Sequence, residues 1–115
     1  MDVSVIIVNY NTKDTTKQCV YSIIAKTNGV NYEIILVDNA SVDGSAELFS
    51  KDERIVFIGS NENLGFGKAN NLGFSRAKGK YIFLLNSDTI LVNDAIAIFF
   101  EKMKLAGEDV ACLGT

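Results

Sequence analysis

The sequence predicts an α/β fold organised on a doubly wound, mostly parallel sheet. Three near-continuous apolar runs each stop abruptly in short polar side chains. Residues 3–8 run into Asn9-Tyr10-Asn11-Thr12, residues 33–37 into Asp38-Asn39-Ala40-Ser41, and residues 81–85 into Asn86-Ser87-Asp88-Thr89. Runs of this kind, of which 81–85 has no polar residue at all, belong to strands buried on both faces, as in a parallel sheet. Segments of helical period lie between the runs, and each connection is long enough for a right-handed crossover.

The elements follow in order. Residues 3–8 are β-branched and form the first strand. The helix after it carries the stripe Cys19, Val20, Ile23 and Ile24, with Asn11 or Thr12 available as N-cap and Asn28-Gly29 as stop. The second strand is 33–37, and Asp43-Gly44-Ser45 opens a short helix that buries Leu48 and Phe49. A third strand at 55–58 is closed by Gly59. Residues 61–74 must supply a crossover helix, although Asn70, Asn71 and Gly73 together cost it about 2 kcal/mol relative to alanines. Something other than helix stability selects them. The fourth strand is 81–85, and a helix runs from Asn93 or Asp94 to Leu105 with Ile96, Phe99, Phe100 and Met103 inward and Gly107 as stop. Residues 110–113 start a fifth, partial strand, and the chain reaches Thr115 as that strand would be settling, as expected of a piece of something longer.

Composition narrows the function. With 115 residues and 48% hydrophobic content the chain is expected to be a single soluble domain with an ample core. Eleven basic against 14 acidic residues give a net charge of −3, which disfavours a nucleic-acid binder that works by phosphate neutralisation. No apolar run approaches a membrane span and the N-terminus lacks a signal-peptide pattern, so the expected compartment is the cytoplasm. Cys19 and Cys112 have no CxxC spacing and read as reduced core thiols. The absence of histidine excludes a histidine-based triad and a histidine-ligated zinc.

With strand order 3-2-1-4, the sheet reverses between strands one and four, and a ligand crevice opens there between Asn9-Tyr10 and Asn86-Ser87-Asp88, with Asp38 alongside. A carboxylate ending strand two suits an N–H donor or a ribose hydroxyl. Asp88 is a hard oxygen ligand, sufficient for a magnesium-type ion only when a diphosphate and water complete the shell. Taken singly, Asp38 and Asp88 are also ordinary turn formers. Lys68, Arg76, Lys78 and Lys80 lie in an interval, 63–87, without an acidic residue, and also suit a solvated helix C-terminus. Neither GxGxxG nor the Walker A pattern occurs.

Four segments together resemble family 2 glycosyltransferases of the GT-A fold, a Rossmann-like class, and most of all their rhamnosyltransferase-like branch. They are Val8-Asn9-Tyr10-Asn11, the stretch 37–45 beginning Val37-Asp38-Asn39-Ala40-Ser41, the stretch 63–73 beginning Asn63-Leu64-Gly65-Phe66-Gly67-Lys68, and Leu84-Leu85-Asn86-Ser87-Asp88. They occur in the family's order and span nearly the whole chain. The resemblance implies a nucleoside-diphosphate-sugar site in which Asn9, Tyr10 and Asp38 hold the base and Asn86 faces the ribose. Asp88 would coordinate a divalent metal, Mg or Mn, bound together with the diphosphate, and Asn63, Lys68 and Asn70 would frame the nucleotide sugar. It implies an inverting displacement by an acceptor hydroxyl in cell-surface polysaccharide synthesis, with a sugar or lipid-linked acceptor and no nucleic acid. Peripheral association of the full-length protein with the inner face of the cell membrane is compatible with it.

Two departures stand out. Asn86 replaces the first aspartate of the general Asp-x-Asp motif, as is common in this branch, but Ser87 stands where the branch has proline, and a looser turn is expected. The family's base is a carboxylate in the C-terminal half, and only 27 residues follow Asp88, so the base is expected beyond Thr115 and the chain alone is expected to be inactive in transfer. A receiver domain would need an acidic cluster after strand one, and a nucleotidyltransferase a glycine-rich basic loop there; both are absent. A nucleotide-sugar-binding module without catalysis remains the alternative.

Overall fold

The computed structural model describes residues 1–106 and 112–114. Its elements are β1 (Val3–Asn9), α1 (Lys13–Lys26), β2 (Tyr32–Asp38), α2 (Ser45–Phe49), β3 (Ile55–Gly59), α3 (Gly65–Arg76), β4 (Tyr81–Asn86), α4 (Ala95–Ala106) and β5 (Cys112–Gly114). All strand pairs are parallel, in the order β3-β2-β1-β4-β5, of which the sequence predicts the 3-2-1-4 part. The register sets Asn9 opposite Asp38 and Val8 opposite Asn86, which brings the polar strand ends level at one edge.

Strand alternation divides the apolar side chains between two layers. Val3, Val5 and Ile7 of β1 join Ile34, Leu36, Tyr81, Phe83 and Leu85 against Cys19, Val20 and Ile23 of α1 and Ile96, Phe99 and Met103 of α4. Phe83 meets Phe99 edge to face, with ring centroids 4.7 Å apart, a geometry that adds to simple burial. The opposite layer is thinner: Ile6, Ile35, Val37, Ile58 and Ile82 pack against Ala69 of α3. Gly73, one of the unfavourable residues of α3, has its explanation here. A Cβ on Gly73 would lie 2.8 Å from Ile6 Cγ2 and 3.3 Å from Val37 Cγ2, so only glycine lets this helix approach the sheet so closely. Asn70 is buried, and its Nδ2 donates to the Phe66 carbonyl at 3.1 Å.

Some local expectations are corrected. Phe49 is buried, but Leu48 is 39% exposed, because α2 is only five residues long and turns a single side toward the sheet. Phe100 is half-buried and meets Tyr81 edge to face. Helix α4 begins at Ala95, with Asp94 just before it accepting from the Asn28 amide. Gly107 as the helix stop lies outside the described residues. Arg76 falls in the last turn of α3, where a cation complements the helix dipole.

Thr12 occupies the N-cap position of α1 without a side-chain cap bond. The cap comes from elsewhere in the chain: Asp43 Oδ2 accepts from the Lys13 amide at 3.0 Å, while Oδ1 accepts from the Ser45 amide and hydroxyl. One carboxylate therefore serves the starts of both α1 and α2. The Ser45 hydroxyl, with further help from the Lys13 amide, holds the Asp43 carboxyl below its ordinary range despite partial desolvation. Asp43→Ala is expected to cost about 1–2 kcal/mol at pH 7. A group depressed in the folded state contributes stability above its unfolded pKa, near 4, and loses it as pH falls through the folded value. Urea unfolding should therefore separate wild type from variant at pH 7 and bring them together at the acid end.

Candidate functional site

A cleft of about 540 Å³ opens at the reversal point of the sheet. Val8 and Thr12 lie along its middle. One wall is Asn39, Asn63, Gly65 and Phe66, from the end of β2 and the start of α3, and the other is Asn86, Ser87 and Asp88 from the end of β4. Tyr10 stands at the mouth, 49% exposed, and Phe66 is 61% exposed. A groove of about 570 Å³ between α1 and α2 is lined by lysines and carboxylates of mixed sign, with no strand end in it. Its size alone does not make it a rival, because the strand ends converge on the first cleft.

The two walls differ electrically. Helix α3 starts in the wall, and its first turn carries no acidic residue to offset the positive end of its dipole. The Asn63 carboxamide accepts from the Gly65 amide at 2.9 Å and fixes the approach to this helix. Asp88 supplies an exposed carboxylate opposite. The turn that carries it is closed by the Thr89 amide donating to the Asn86 carbonyl at 3.0 Å. Among the described residues no group of three histidine, cysteine or acidic side chains could hold a metal alone. A single accessible carboxylate facing an open cleft fits a cation that brings most of its own ligands, and does not fit an all-protein cage.

Tyr10, Asn63, Asn86 and Asp88 of the predicted residues line the cleft. Asn9 and Asp38 lie below it, 0% and 2% exposed. The Asn9 Nδ2 donates to Asp38 Oδ1 at 2.8 Å and to Ser41 Oγ at 3.3 Å. Its Oδ1 accepts from the Thr12 amide, the Thr12 hydroxyl at 2.7 Å and the Thr16 hydroxyl at 2.9 Å. An amide donor on one side and a carboxylate on the other leave one consistent orientation for this carboxamide. Asp38 Oδ2 accepts from the Ser41 amide at 3.1 Å. These two residues are a polar lattice beneath the cleft. Lys68 is exposed on α3 and Asn70 is turned into that helix, so neither is in the cleft wall.

Asn39 is a site residue that the sequence reading passes over. It is 3% exposed, and its carboxamide clasps the start of α3, accepting from the Leu64 amide at 2.9 Å and donating to the Gly65 carbonyl at 3.3 Å. The neighbouring Ala40 has φ 66°, a left-handed conformation that costs an alanine about 1–2 kcal/mol. The β1 and β2 loops hold it there: Ser41 Oγ accepts from the Asn11 amide at 2.8 Å, and Asn11 Oδ1 accepts from the Val42 amide at 2.8 Å.

Cys19 closes the underside of the β4 wall, with its Sγ 3.7 Å from the Asn86 carbonyl. Burial, and then the Asp88 charge, push its thiol up to about 12. A thiol so far from ionisation is not a nucleophile. Iodoacetamide at pH 8 is expected to leave Cys19 unmodified in the folded protein and to alkylate it fully in urea, as read by peptide mass spectrometry.

The sequence model for "Glycosyl transferase family 2" matches residues 4–115. The succinoglycan biosynthesis protein ExoO of Rhizobium meliloti is 32% identical over 112 residues, covering 96% of this chain and 32% of that protein. The UDP-Glc:alpha-D-GlcNAc-diphosphoundecaprenol beta-1,3-glucosyltransferase WfaP of Escherichia coli is 39% identical over 97 residues, covering 83% of this chain and 38% of that one. Among solved structures, Staphylococcus aureus TarS 1-349 in complex with UDP superposes with TM-score 0.75 at 24% identity, over 89% of this chain and 32% of that one. The mannosyltransferase PcManGT from Pyrobaculum calidifontis, in complex with GDP-Man and Mn2+, gives 0.74 at 20%, over 83% and 30%. The chain thus spans about a third of the length of these relatives. Among the described residues no helix is long and apolar enough to cross a membrane. Taken with a sheet order shared with GT-A glycosyltransferases and a match over nearly every residue, the chain belongs to glycosyl transferase family 2.

Proposed function

We propose that this chain is the donor-binding part of a glycosyltransferase and holds a nucleoside-diphosphate sugar in the β1/β4 cleft. The observation that carries this reading is the opposition across one cleft of a helix start with no acidic residue in its first turn and the Asp88 carboxylate. Such a pair suits a polyanion that brings a divalent cation with it. The exposed rings of Tyr10 and Phe66 offer apolar faces for a base, and Asn86 offers hydrogen bonds to a ribose. Asn9 and Asp38 act on the base indirectly, by fixing the loops that carry Tyr10 and Asn39. Asn63 frames the nucleotide sugar; Lys68 and Asn70 act from outside the wall, Asn70 by holding the first turn of α3. The UDP of the TarS complex, and the GDP-Man and Mn2+ of the PcManGT complex, support this ligand class.

Asp88 would hold the cation against the diphosphate. When bound there, the cation supplies charge neutralisation for the departing nucleoside diphosphate. In the inverting reaction we propose, an acceptor hydroxyl attacks the anomeric carbon, the bond to the diphosphate oxygen breaks, and the hydroxyl proton passes to a carboxylate. We place that carboxylate and the acceptor site in the part of such a protein that this chain does not cover. The acceptor we propose is a sugar or a lipid-linked sugar, the latter being the class in the name of WfaP, and we place it at the inner face of the cell membrane. NMR titration with UDP or GDP and Mg2+ tests the site. Amide shifts are expected at Tyr10, Asn39, Phe66 and Asp88, and shifts confined to the α1/α2 groove would overturn the assignment.

A further inference from the structure

We infer that Ser22, buried on helix α1, is a positioning residue that anchors the Asp88 segment from behind, so that the gain in nucleotide affinity given by a divalent cation depends on it. The inference rests on the donor-site reading above. Ser22 is not among the residues that line the cleft, and it acts through the backbone of the segment after β4. Its hydroxyl makes two buried hydrogen bonds whose directions are fixed by the groups involved. The Leu91 amide, which can only donate, gives its proton to Ser22 Oγ at 2.9 Å. The Ser22 proton goes to the Cys19 carbonyl, which can only accept, at 2.7 Å.

The segment that carries Asp88 is thereby tied to α1 at both ends. At its start, the Asn86 carbonyl accepts from the Thr89 amide at 3.0 Å and has the Cys19 Sγ 3.7 Å away. At its end, the Leu91 side chain is buried in the core layer that contains α1 and α4, and Ser22 holds its amide. Ile90 and Val92 on either side are exposed, so the attachment falls on Leu91. Cys19 and Ser22 are three residues apart and share one face of the helix, and the Asp88 segment is fixed between them. A carboxylate whose backbone is already held gives up little freedom on binding a cation, which raises affinity. Without the Ser22 hydroxyl the buried Leu91 amide has lost its acceptor, and the segment must shift to find another.

The test is calorimetric titration of the 115-residue chain with UDP and with GDP, in Mn2+ and again in EDTA. The proteins are wild type, Ser22→Ala, Ser22→Thr, Asp88→Asn and the double variant S22A/D88N, with urea unfolding run on each. The ratio of the affinity in Mn2+ to that in EDTA is expected to fall about 5-fold in Ser22→Ala and to return in Ser22→Thr, which keeps the hydroxyl. In the Asp88→Asn background Ser22→Ala should not change the ratio further. If Ser22→Ala does not fold, Ser22→Cys, whose thiol is a weak acceptor, replaces it with the same expectation. A purely structural role would lower the urea midpoint and leave the ratio unmoved. That result, or a ratio that falls as much in Ser22→Thr, or one that falls again in the double variant, would overturn the inference while leaving the donor site intact. Absence of nucleotide binding in wild type would overturn both.

Discussion

Asn9→Leu is expected to destabilise the fold by about 3 kcal/mol, measured by urea unfolding at pH 7. The shape is nearly kept, so the penalty is almost wholly electrostatic. Asp38 is 2% exposed and loses one of its two close donors, and the Thr12 amide loses its acceptor. The Thr12 and Thr16 hydroxyls, 3.1 Å apart, can turn to each other and absorb part of the loss. Asn9→Asp separates shape from charge. It sets a second carboxylate against Asp38, and its penalty is expected to grow from pH 4 to pH 8, whereas that of leucine stays nearly level. If Asn9→Leu unfolds like wild type, the lattice beneath the cleft does not hold it in shape.

Asp88→Asn is expected to act on binding and hardly at all on the fold. The side chain is exposed at the cleft wall, and a change of this kind on a surface costs within about 0.5 kcal/mol. Asparagine keeps the size and loses the charge that a divalent cation needs. The gain in nucleotide affinity given by Mn2+ should fall by about one to two orders of magnitude, while metal-free affinity stays the same. A variant that retains the full manganese effect would remove Asp88 from the metal role.

The sheet and its order were legible because strands buried on both faces leave an unbroken apolar record, and because each one ended in polar residues at the same edge. The cleft was legible only in part, for a reason of parity. Val3, Val5, Ile7 and then Asn9 point to one face of β1, and Ile34, Leu36 and then Asp38 to the same face of β2, which is the face packed by α1. Period-2 alternation carries these polar ends under the α1 layer. Val8 and Asn86 belong to the α3 face, and the cleft opens there. Counting parity along each strand would have turned Asn9 and Asp38 inward from sequence alone. Asn39 gave no comparable signal. An asparagine after a strand is ordinary turn chemistry until the partners of its side chain, here Leu64 and Gly65, are known.

The central claim is that the β1/β4 cleft takes a nucleoside diphosphate together with a divalent cation. Calorimetric titration of the 115-residue chain with UDP and with GDP, in Mn2+ and again in EDTA, tests it most directly. The expected result is saturable one-to-one binding of at least one nucleotide, at least tenfold tighter with Mn2+ and reduced to the EDTA value by Asp88→Asn. Binding of equal strength in Mn2+ and EDTA, or no saturable binding of either nucleotide, would contradict it.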